Sequence, residues 1–278
     1  MGLDQISNLL YTNNIINNQN LFKLWVKLNF SEKKIMSGEY RFEKKKSINK
    51  VFKKISQGDI LLRKFTIIEG WTKLDLYLQL KLLFPDTRLK VEDMPTLIVA
   101  DTYLFSITDG GNKLILDIRK KSFDVAEKLW LKRDENSKLS SINEMIILSS
   151  IVEKETSLDE ERYKIAGVFF NRLDKGMRLQ SDPTVVFSIT QGKSKLNRKL
   201  LRKDLKFKSK FNTYLNHGLP PEPICYPGLE SIKAVIHPEV NDLFFFVADP
   251  KNNGHIFSKD YHQHLENIKN IKLHNSHD

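Results

Sequence analysis

Two glutamates near the middle of the chain combine the residue type and the setting needed for proton transfer. Glu153 and Glu155 lie in the segment 152–156, which reads VEKET, and they follow residues 142–152, which are apolar on nearly every side of a helix. A carboxyl group at the end of a buried helix is desolvated, which raises its pKa toward the range that suits general acid and base catalysis. A solvated helix end is the alternative interpretation of the same residues.

Helical geometry places these two carboxylates on different sides. Residues two positions apart are separated by about 200° around a helix, so a single cleft can receive only one of them. Glu153 shares a side with Ser149 and Ser150, whose small side chains leave room for a ligand. Glu155 falls near the centre of an apolar stripe formed by Met145, Leu148, Ile151 and Val152. The geometry therefore favours Glu153 as the cleft residue, and Glu155 stays open because it could splay away where the helix frays.

The flanking residues predict the helices that position the two carboxylates. Ser141 with Glu144, and Ser157 with Glu160, each have the spacing of a capping box, in which a serine and a later glutamate satisfy free backbone groups at a helix start. We therefore expect two successive helices, the first from residue 142 to about residue 156. The second ends at Gly176, a residue typical of helix C-terminal caps.

Polar residues beyond the second helix are candidates for sugar binding. The Gln180 amide offers two donors and an acceptor, which suits an N-acetyl or hydroxyl group. Asp182 lies at the predicted start of a short helix, so its alternative role is to cap that helix. His255 lies in a predicted hairpin of residues 243–248 with 254–258, where it could contact sugar, orient a carboxylate or serve the structure alone.

The composition limits the class of protein. A chain of 278 residues, 40% of them hydrophobic, suits a medium globular domain with a smaller one. The formal net charge of +11 is compatible with nucleic acid, an anionic membrane surface or an anionic polymer. The lysines are scattered or in short runs, and no helix-turn-helix or RNP-like motif accompanies them, so we expect no nucleic-acid partner. An acidic wall polymer beside an anionic bilayer suits this positive charge better than nucleic acid does.

The sequence predicts neither a cofactor nor a metal. Its one cysteine, Cys225, excludes an intramolecular disulfide, and it has neither a glycine-rich phosphate loop nor a histidine cluster with ligand spacing. No apolar run reaches the roughly 18 residues that span a bilayer. Residues 1–4 do not have the charged and then apolar pattern of a secretory signal.

Six sequence blocks carry a family resemblance. In chain order they read SSIVEKET, ERYKIAGVFFNRL, GMRLQSDPTVVF, NTYLNHGLPPEPICYPG, FFFVAD and GHIFS. In order and spacing, over about residues 66–270, they resemble the conserved blocks of the endolytic murein transglycosylase family, YceG-like lytic enzymes that cut nascent glycan strands of bacterial peptidoglycan.

The resemblance implies a domain organisation and a location. It implies an α+β fold, with a small LysM-like βα subdomain at residues 1–62 and a larger catalytic transglycosylase domain at residues 63–278. Peptidoglycan glycan strands would be the substrate, and penicillin-binding synthases would be partners. Because members of the family normally carry an N-terminal membrane anchor, we expect a place at the cell inner membrane with the catalytic domain facing the periplasm. The sequence would then begin just after that anchor, or be a naturally short version.

The resemblance also implies a mechanism. It assigns catalysis to the first glutamate of the VEKET block, Glu153, which would protonate the glycosidic oxygen between N-acetylmuramic acid (MurNAc) and N-acetylglucosamine (GlcNAc). The same group would then take the proton of the MurNAc C6 hydroxyl, which leaves 1,6-anhydro-MurNAc ends. The predicted substrate-binding residues are Gln180, Asp182, Asn212, Tyr214 and His255. Two alternatives stay open: a hydrolytic muramidase, with Asp182 as the leading second acid, and a non-catalytic peptidoglycan-binding protein.

Overall fold

The computed structural model describes residues 2–30, 35–43, 46–134, 137–249, 251 and 253–275. Within these residues helices dominate, and two sheets of two strands each accompany them, which confirms the predicted α+β class. Backbone contacts divide the chain into two compact units, Met1–Phe65 with Tyr103–Leu114, and Thr66–Thr102 with Ile115–Asp278. The predicted domain boundary between residues 62 and 63 stays a prediction.

In the first unit, helices α1 (Leu3–Thr12), α2 (Gln19–Phe30) and α3 (Ile48–Ser56) pack on a small apolar core. The buried residues of this core are Leu10, Ile16, Phe22, Val26, Val51, Phe52 and Ile55. Residues 38–42 alternate in the manner of a strand, but the strand that this alternation predicts does not form. The LysM-like character of the unit stays a prediction.

The next elements are two short strands and two helices. Strands β1 (Arg63–Thr66) and β2 (Thr102–Phe105) pair in one sheet. Helix α4 (Lys73–Leu83) and helix α5 (Gly110–Trp130) follow β1 and β2, respectively. Helix α4 begins with a capping box, because the Thr72 backbone N–H donates to Asp75 Oδ2 at 2.8 Å.

Helix α6 (Ile142–Glu155) runs through the interior of the second unit, as its all-round apolar sequence predicts. All eight residues at positions 145–152 are buried. The predicted N-terminal cap is confirmed, since Ser141 Oγ accepts a hydrogen bond from the Glu144 backbone N–H at 3.2 Å. The C-terminal end of this buried helix delivers Glu153 and Glu155.

Helix α7 (Asp159–Asp174) follows α6 after a short corner. The predicted capping box of Ser157 and Glu160 is wrong, because the helix begins at Asp159, one residue later than that box requires. Thr156 Oγ1 instead accepts from the Leu158 backbone N–H at 3.0 Å and so organises the corner. The predicted end of the helix is confirmed: Gly176 has a φ of 64°, the left-handed conformation that favours glycine.

The remaining elements are α8 (Asp182–Thr190), α9 (Leu229–Ile236), β3 (Phe245–Asp249), β4 (Gly254–Ser258) and α10 (Tyr261–Asn275). The predicted hairpin is confirmed, with β3 and β4 antiparallel and Ala248 opposite His255. The strongly basic segment 193–210, whose composition predicts a solvated helix and loop, contains one 3₁₀ turn, Asp204–Lys206. Among the described helices, none combines the length and the apolar character needed to cross a membrane.

Candidate active site

Glu155, the last residue of α6, has the surroundings of a general acid. Its Oε1 accepts a hydrogen bond of 2.5 Å from the hydroxyl of Ser181, the residue just before α8. Burial raises the pKa of Glu155 to about 7, and the charge of Asp182 adds to the rise. The Ser181 hydrogen bond and the charge of Arg172 act in the opposite direction. The carboxyl group can therefore hold or release a proton near neutral pH.

Three of the predicted substrate-binding residues lie around Glu155. The Tyr214 hydroxyl donates to Asp182 Oδ1 at 2.7 Å, and burial, followed by this hydrogen bond, raises the pKa of Tyr214, so the hydroxyl keeps its proton. The backbone N–H of Gln180 donates to Thr213 O at 3.2 Å. That contact holds Gln180 in the left-handed region, with a φ of 50°, while its side chain is exposed. The Asp182 carboxylate and the Tyr214 phenol therefore lie near the acid, and Gln180 precedes Ser181, the hydrogen-bond donor of Glu155.

Glu153 lies in a different environment. Its Oε2 accepts from the Gly228 backbone N–H at 2.9 Å and from Ser231 Oγ at 2.7 Å. Its Oε1 faces Arg162 Nη2 at 3.5 Å, and the side chains of Glu153 and Arg162 are only 7% and 6% exposed. These contacts tie the end of α6 to α7 and to the start of α9. All the partners are donors, which is the pattern of a carboxylate that holds elements together.

Glu69 completes the surroundings of Glu153. Burial raises the pKa of Glu69, the charge of Glu153 raises it further, and Arg162 opposes both effects. The Glu69 carboxylate lies against Gly228, where an added Cβ would come within 1.8 Å of Glu69 Oε1. A side chain at position 228 would therefore displace the Glu69 carboxylate.

Asn212 does not line the cleft, and its predicted role in sugar binding stays a prediction. The residue is fully buried. Its Nδ2 donates to Leu205 O at 3.0 Å and to Phe207 O at 2.8 Å. Its Oδ1 accepts from the Tyr214 backbone N–H at 2.9 Å. Because every polar group of the amide is used inside the turn, Asn212 acts by positioning Tyr214.

His255 orients a carboxylate, which was one of its predicted roles. Its Nδ1 lies 2.7 Å from Glu161 Oε2, and its backbone N–H donates to Glu161 Oε1 at 2.7 Å. The same Glu161 carboxylate accepts from Thr156 Oγ1 at 3.2 Å. The hairpin is thus attached to the corner that follows Glu155. Contact of His255 with sugar stays a prediction.

A cleft of about 560 Å³ opens beside the acid. Asp182 and Lys154, the chain neighbour of Glu155, line it together with apolar side chains that include Phe187 and Ile224. Its volume lies within the usual range for ligand sites, about 300–1,000 Å³. Within the described residues, no group of three or more His, Cys, Asp or Glu side chains could hold a metal ion.

Four residues of the site were not predicted from the sequence: Glu69, Arg162, Arg172 and Ser181. The sequence does place the two arginines on the apolar side of α7, because they share the helical spacing of Ile165 and Phe169. A charged residue in a buried stripe needs a partner, so this position could have indicated a role in the site. Arg172 donates to Leu179 O at 2.5 Å and to Phe244 O at 2.6 Å. The position of Ser181 before Pro183 predicts only a helix cap, and the bond to Glu155 has no signal in the sequence.

Comparison with known proteins gives a family match and named relatives. The model of the YceG-like family matches residues 1–270. An endolytic murein transglycosylase of Bacillus subtilis (strain 168) is 28% identical over 297 residues, which cover 95% of this chain and 80% of that protein. An endolytic murein transglycosylase of Streptococcus pneumoniae serotype 2 is 36% identical over 135 residues, which cover 48% of this chain and 24% of that protein.

A solved structure agrees with the family match. The 2.6 Å crystal structure of a yceG-like protein from Listeria monocytogenes superposes with a TM-score of 0.62, at 28% identity, and the match covers 95% of both chains. The family resemblance carried by the six sequence blocks is thereby confirmed. The chain belongs to the YceG-like family.

Proposed function

We propose that this chain is an endolytic lytic transglycosylase of murein, with Glu155 as its general acid and base. The relatives named endolytic murein transglycosylases support a role in murein cleavage. The observation that carries the choice of acid is the burial of Glu155 near Asp182 and Tyr214, with Asp182 also lining the open cleft. The proposal differs here from the prediction of Glu153 made from the sequence.

The contrast between the two glutamates supports Glu155. A general acid must hold a proton at the working pH, and the pKa of about 7 at Glu155 meets this requirement. Glu153 Oε2 accepts from a backbone N–H and a hydroxyl, and Glu153 Oε1 faces a guanidinium, so both oxygens have partners that favour the charged carboxylate. Glu153 is better suited to holding α7 and α9 against the end of α6.

In the proposed reaction one carboxyl group acts twice. Protonated Glu155 gives its proton to the glycosidic oxygen as the bond from MurNAc C1 to that oxygen breaks. The charge of Asp182 stabilises the oxocarbenium-like centre that develops at C1. Glu155, now a carboxylate, takes the proton of the MurNAc C6 hydroxyl as O6 attacks C1 and closes the 1,6-anhydro ring. No water is consumed, and Glu155 ends the cycle protonated.

Parallel variants test the proposal. Glu155→Gln keeps the size of the side chain but removes the proton in transfer, so turnover on uncrosslinked glycan strands should fall by about 10²–10⁴-fold while circular dichroism stays unchanged. Glu153→Gln should retain turnover and lose about 1–3 kcal/mol of stability, because its charge-assisted contacts weaken. An active Glu155→Gln enzyme together with an inactive but folded Glu153→Gln enzyme would transfer the acid role to Glu153.

Mass spectrometry of the products separates the alternative functions. Anhydro ends are one water lighter than reducing ends, and we expect anhydro ends alone. Reducing-end MurNAc would instead indicate a hydrolytic muramidase, in which Asp182 activates water. Binding of strands without any cleavage would indicate a peptidoglycan-binding protein.

The proposed substrate also implies a location, because murein lies outside the cytoplasm. An extracytoplasmic site of action follows from the proposed activity. Attachment to the inner membrane and partnership with penicillin-binding synthases stay predictions.

A further inference from the structure

The cleft beside Glu155 carries charges that the proposed reaction does not use. Its walls come from the start of α4, from α8 and from residues 192–200. Its apolar lining consists of Leu74, Pro183, Val186, Phe187, Leu196, Leu200 and Ile224. The charged side chains that line it are Asp75, Lys154, Asp182, Lys195 and Arg198. An apolar surface with a few charges at its edge is the usual character of a binding site for a small organic group.

Three of these five charges are already satisfied by the protein. Arg198 donates to Asp204 through Nη1 at 2.5 Å and Nη2 at 3.0 Å. Asp75 accepts from the Thr72 backbone N–H at 2.8 Å as part of the α4 capping box. Asp182 accepts from the Tyr214 hydroxyl.

The other two charges in the cleft lining are the ammonium groups of Lys154 and Lys195. Among the ion pairs of the described residues, neither lysine takes part. Both side chains are exposed to the cleft solvent. Two cations beside an apolar surface would pair with carboxylates on a ligand.

Asp182 connects the cleft with the surroundings of the proposed acid, although Glu155 itself does not line the cleft. Lys154 precedes Glu155 in α6, and Asp182 both lines the cleft and lies close enough to Glu155 to act on its charge. A substituent on the sugar at the acid could therefore extend directly into the cleft. A MurNAc without its peptide offers only the lactyl carboxylate, so a stripped sugar would leave one of the two ammonium groups without a partner.

We propose that this cleft binds the peptide stem that MurNAc carries on its lactyl group, with Lys154 and Lys195 pairing with the stem carboxylates and the apolar surface packing on its aliphatic side chains. The inference rests on the proposed function for the identity of the glycan. It assigns to this chain a preference for strands that still bear peptides over strands that have been stripped of them.

The test compares three preparations of uncrosslinked strands: peptide-bearing strands, the same strands after enzymatic removal of the stems, and peptide-bearing strands with their carboxylates converted to amides. For each, kcat/KM is measured, and the ratio of peptide-bearing to stripped strands defines the preference. We expect a preference above one that is lost on amidation. Lys195→Met, which keeps the aliphatic length without the charge, should reduce the preference by about two- to fivefold, the usual size of one exposed charge pair.

Lys193→Met is the matched control, because Lys193 lies on the same segment but does not line the cleft. It should leave the preference unchanged. Lys154→Met should act in the same direction as Lys195→Met. Equal effects of Lys195→Met on peptide-bearing and stripped strands would overturn the inference, because they would make the cleft a sugar subsite.

Binding separates failure of this inference from failure of the proposed function. The disaccharide GlcNAc-MurNAc, with and without a peptide stem, is titrated into the full chain by calorimetry, which needs no cleavage. Tighter binding of the peptide-bearing form, weakened by Lys195→Met, supports the peptide site even if no anhydro product forms. Equal affinity for the two forms would overturn the peptide site while leaving the proposed reaction untouched.

Discussion

Ser181 Oγ donates a hydrogen bond of 2.5 Å to Glu155 Oε1, and so joins the start of α8 to the end of α6. This bond favours the charged form of Glu155, whereas burial and the neighbouring Asp182 favour the protonated form. The pKa of about 7 is the balance of these effects. Ser181 is thus a residue through which the protonation of the proposed acid can be adjusted.

Ser181→Ala should move the pH dependence of catalysis. The acid is active when protonated, so kcat/KM of the wild type should fall as pH rises through about 7. Removing the hydroxyl removes an interaction that lowers the pKa of Glu155, so the alkaline limb should shift to higher pH. Ser188→Ala is the control, because this buried α8 hydroxyl donates to Thr184 O instead. An unshifted limb in Ser181→Ala would argue against Glu155 as the titrating acid.

Glu155→Gln should stabilise the protein in mildly alkaline solution. Burial raises the pKa of Glu155 from 4.5 to about 7 in the folded state, so between these values the unfolded chain releases a proton that the folded protein retains, and stability falls as pH rises. Above pH 7 the wild type bears the full free-energy cost of ionising this buried carboxyl group, about 3 kcal/mol. The glutamine variant does not bear this cost. Urea unfolding at about pH 5 and pH 8 should show the gain of Glu155→Gln growing with pH. A gain that does not depend on pH would contradict the assigned pKa.

Gln180→Ala should weaken substrate binding if the exposed amide contacts sugar. Loss of one such contact is worth about 1–3 kcal/mol, so KM for glycan strands should rise about fivefold or more. Gln191→Ala is a matched control, because Gln191 also has a left-handed backbone, with a φ of 53°, and lies at the other end of α8. Equal KM values in the two variants would make Gln180 a structural residue.

Asn212→Ala should affect stability before it affects binding. The variant leaves the Leu205 and Phe207 carbonyls without their donor, which should cost about 1–3 kcal/mol of the free energy of unfolding. Asn216→Ala should cost less, because the exposed Asn216 amide also donates to two carbonyls, those of Ser209 and Asn212, but water can replace it there. A higher KM for Asn212→Ala at unchanged stability would support the sugar contact predicted from the sequence.

Cleavage within strands should dominate the early reaction. A cleft open to solvent admits the middle of a polymer, whereas a closed end would admit only a terminus. A time course on uncrosslinked strands with size separation should therefore show strands of intermediate length first. Early release of disaccharide-sized anhydro products alone, with the remaining strands still long, would show trimming from an end.

The amino-acid sequence by itself determined the elements around the site and the family. The all-round apolar pattern of residues 142–152 requires a buried helix, because no side of it could face water favourably. Ser141 and Gly176 marked helix ends through local backbone chemistry, which depends only on near neighbours. The blocks that carry the family resemblance are likewise read along the chain, without knowledge of distant contacts.

Only the tertiary structure shows how the surroundings of the two glutamates differ. Helical spacing states that Glu153 and Glu155 point to different sides, but not what lies on each side. The partner of Glu155 is 26 positions away in sequence, and a partner of Glu153 is 78 positions away. The burial of Asn212 was hidden for the same reason, because its acceptors are backbone carbonyls that no residue type announces. The pKa of a carboxyl group depends on desolvation and on nearby charges, and both are set by the packing of elements that are distant along the chain.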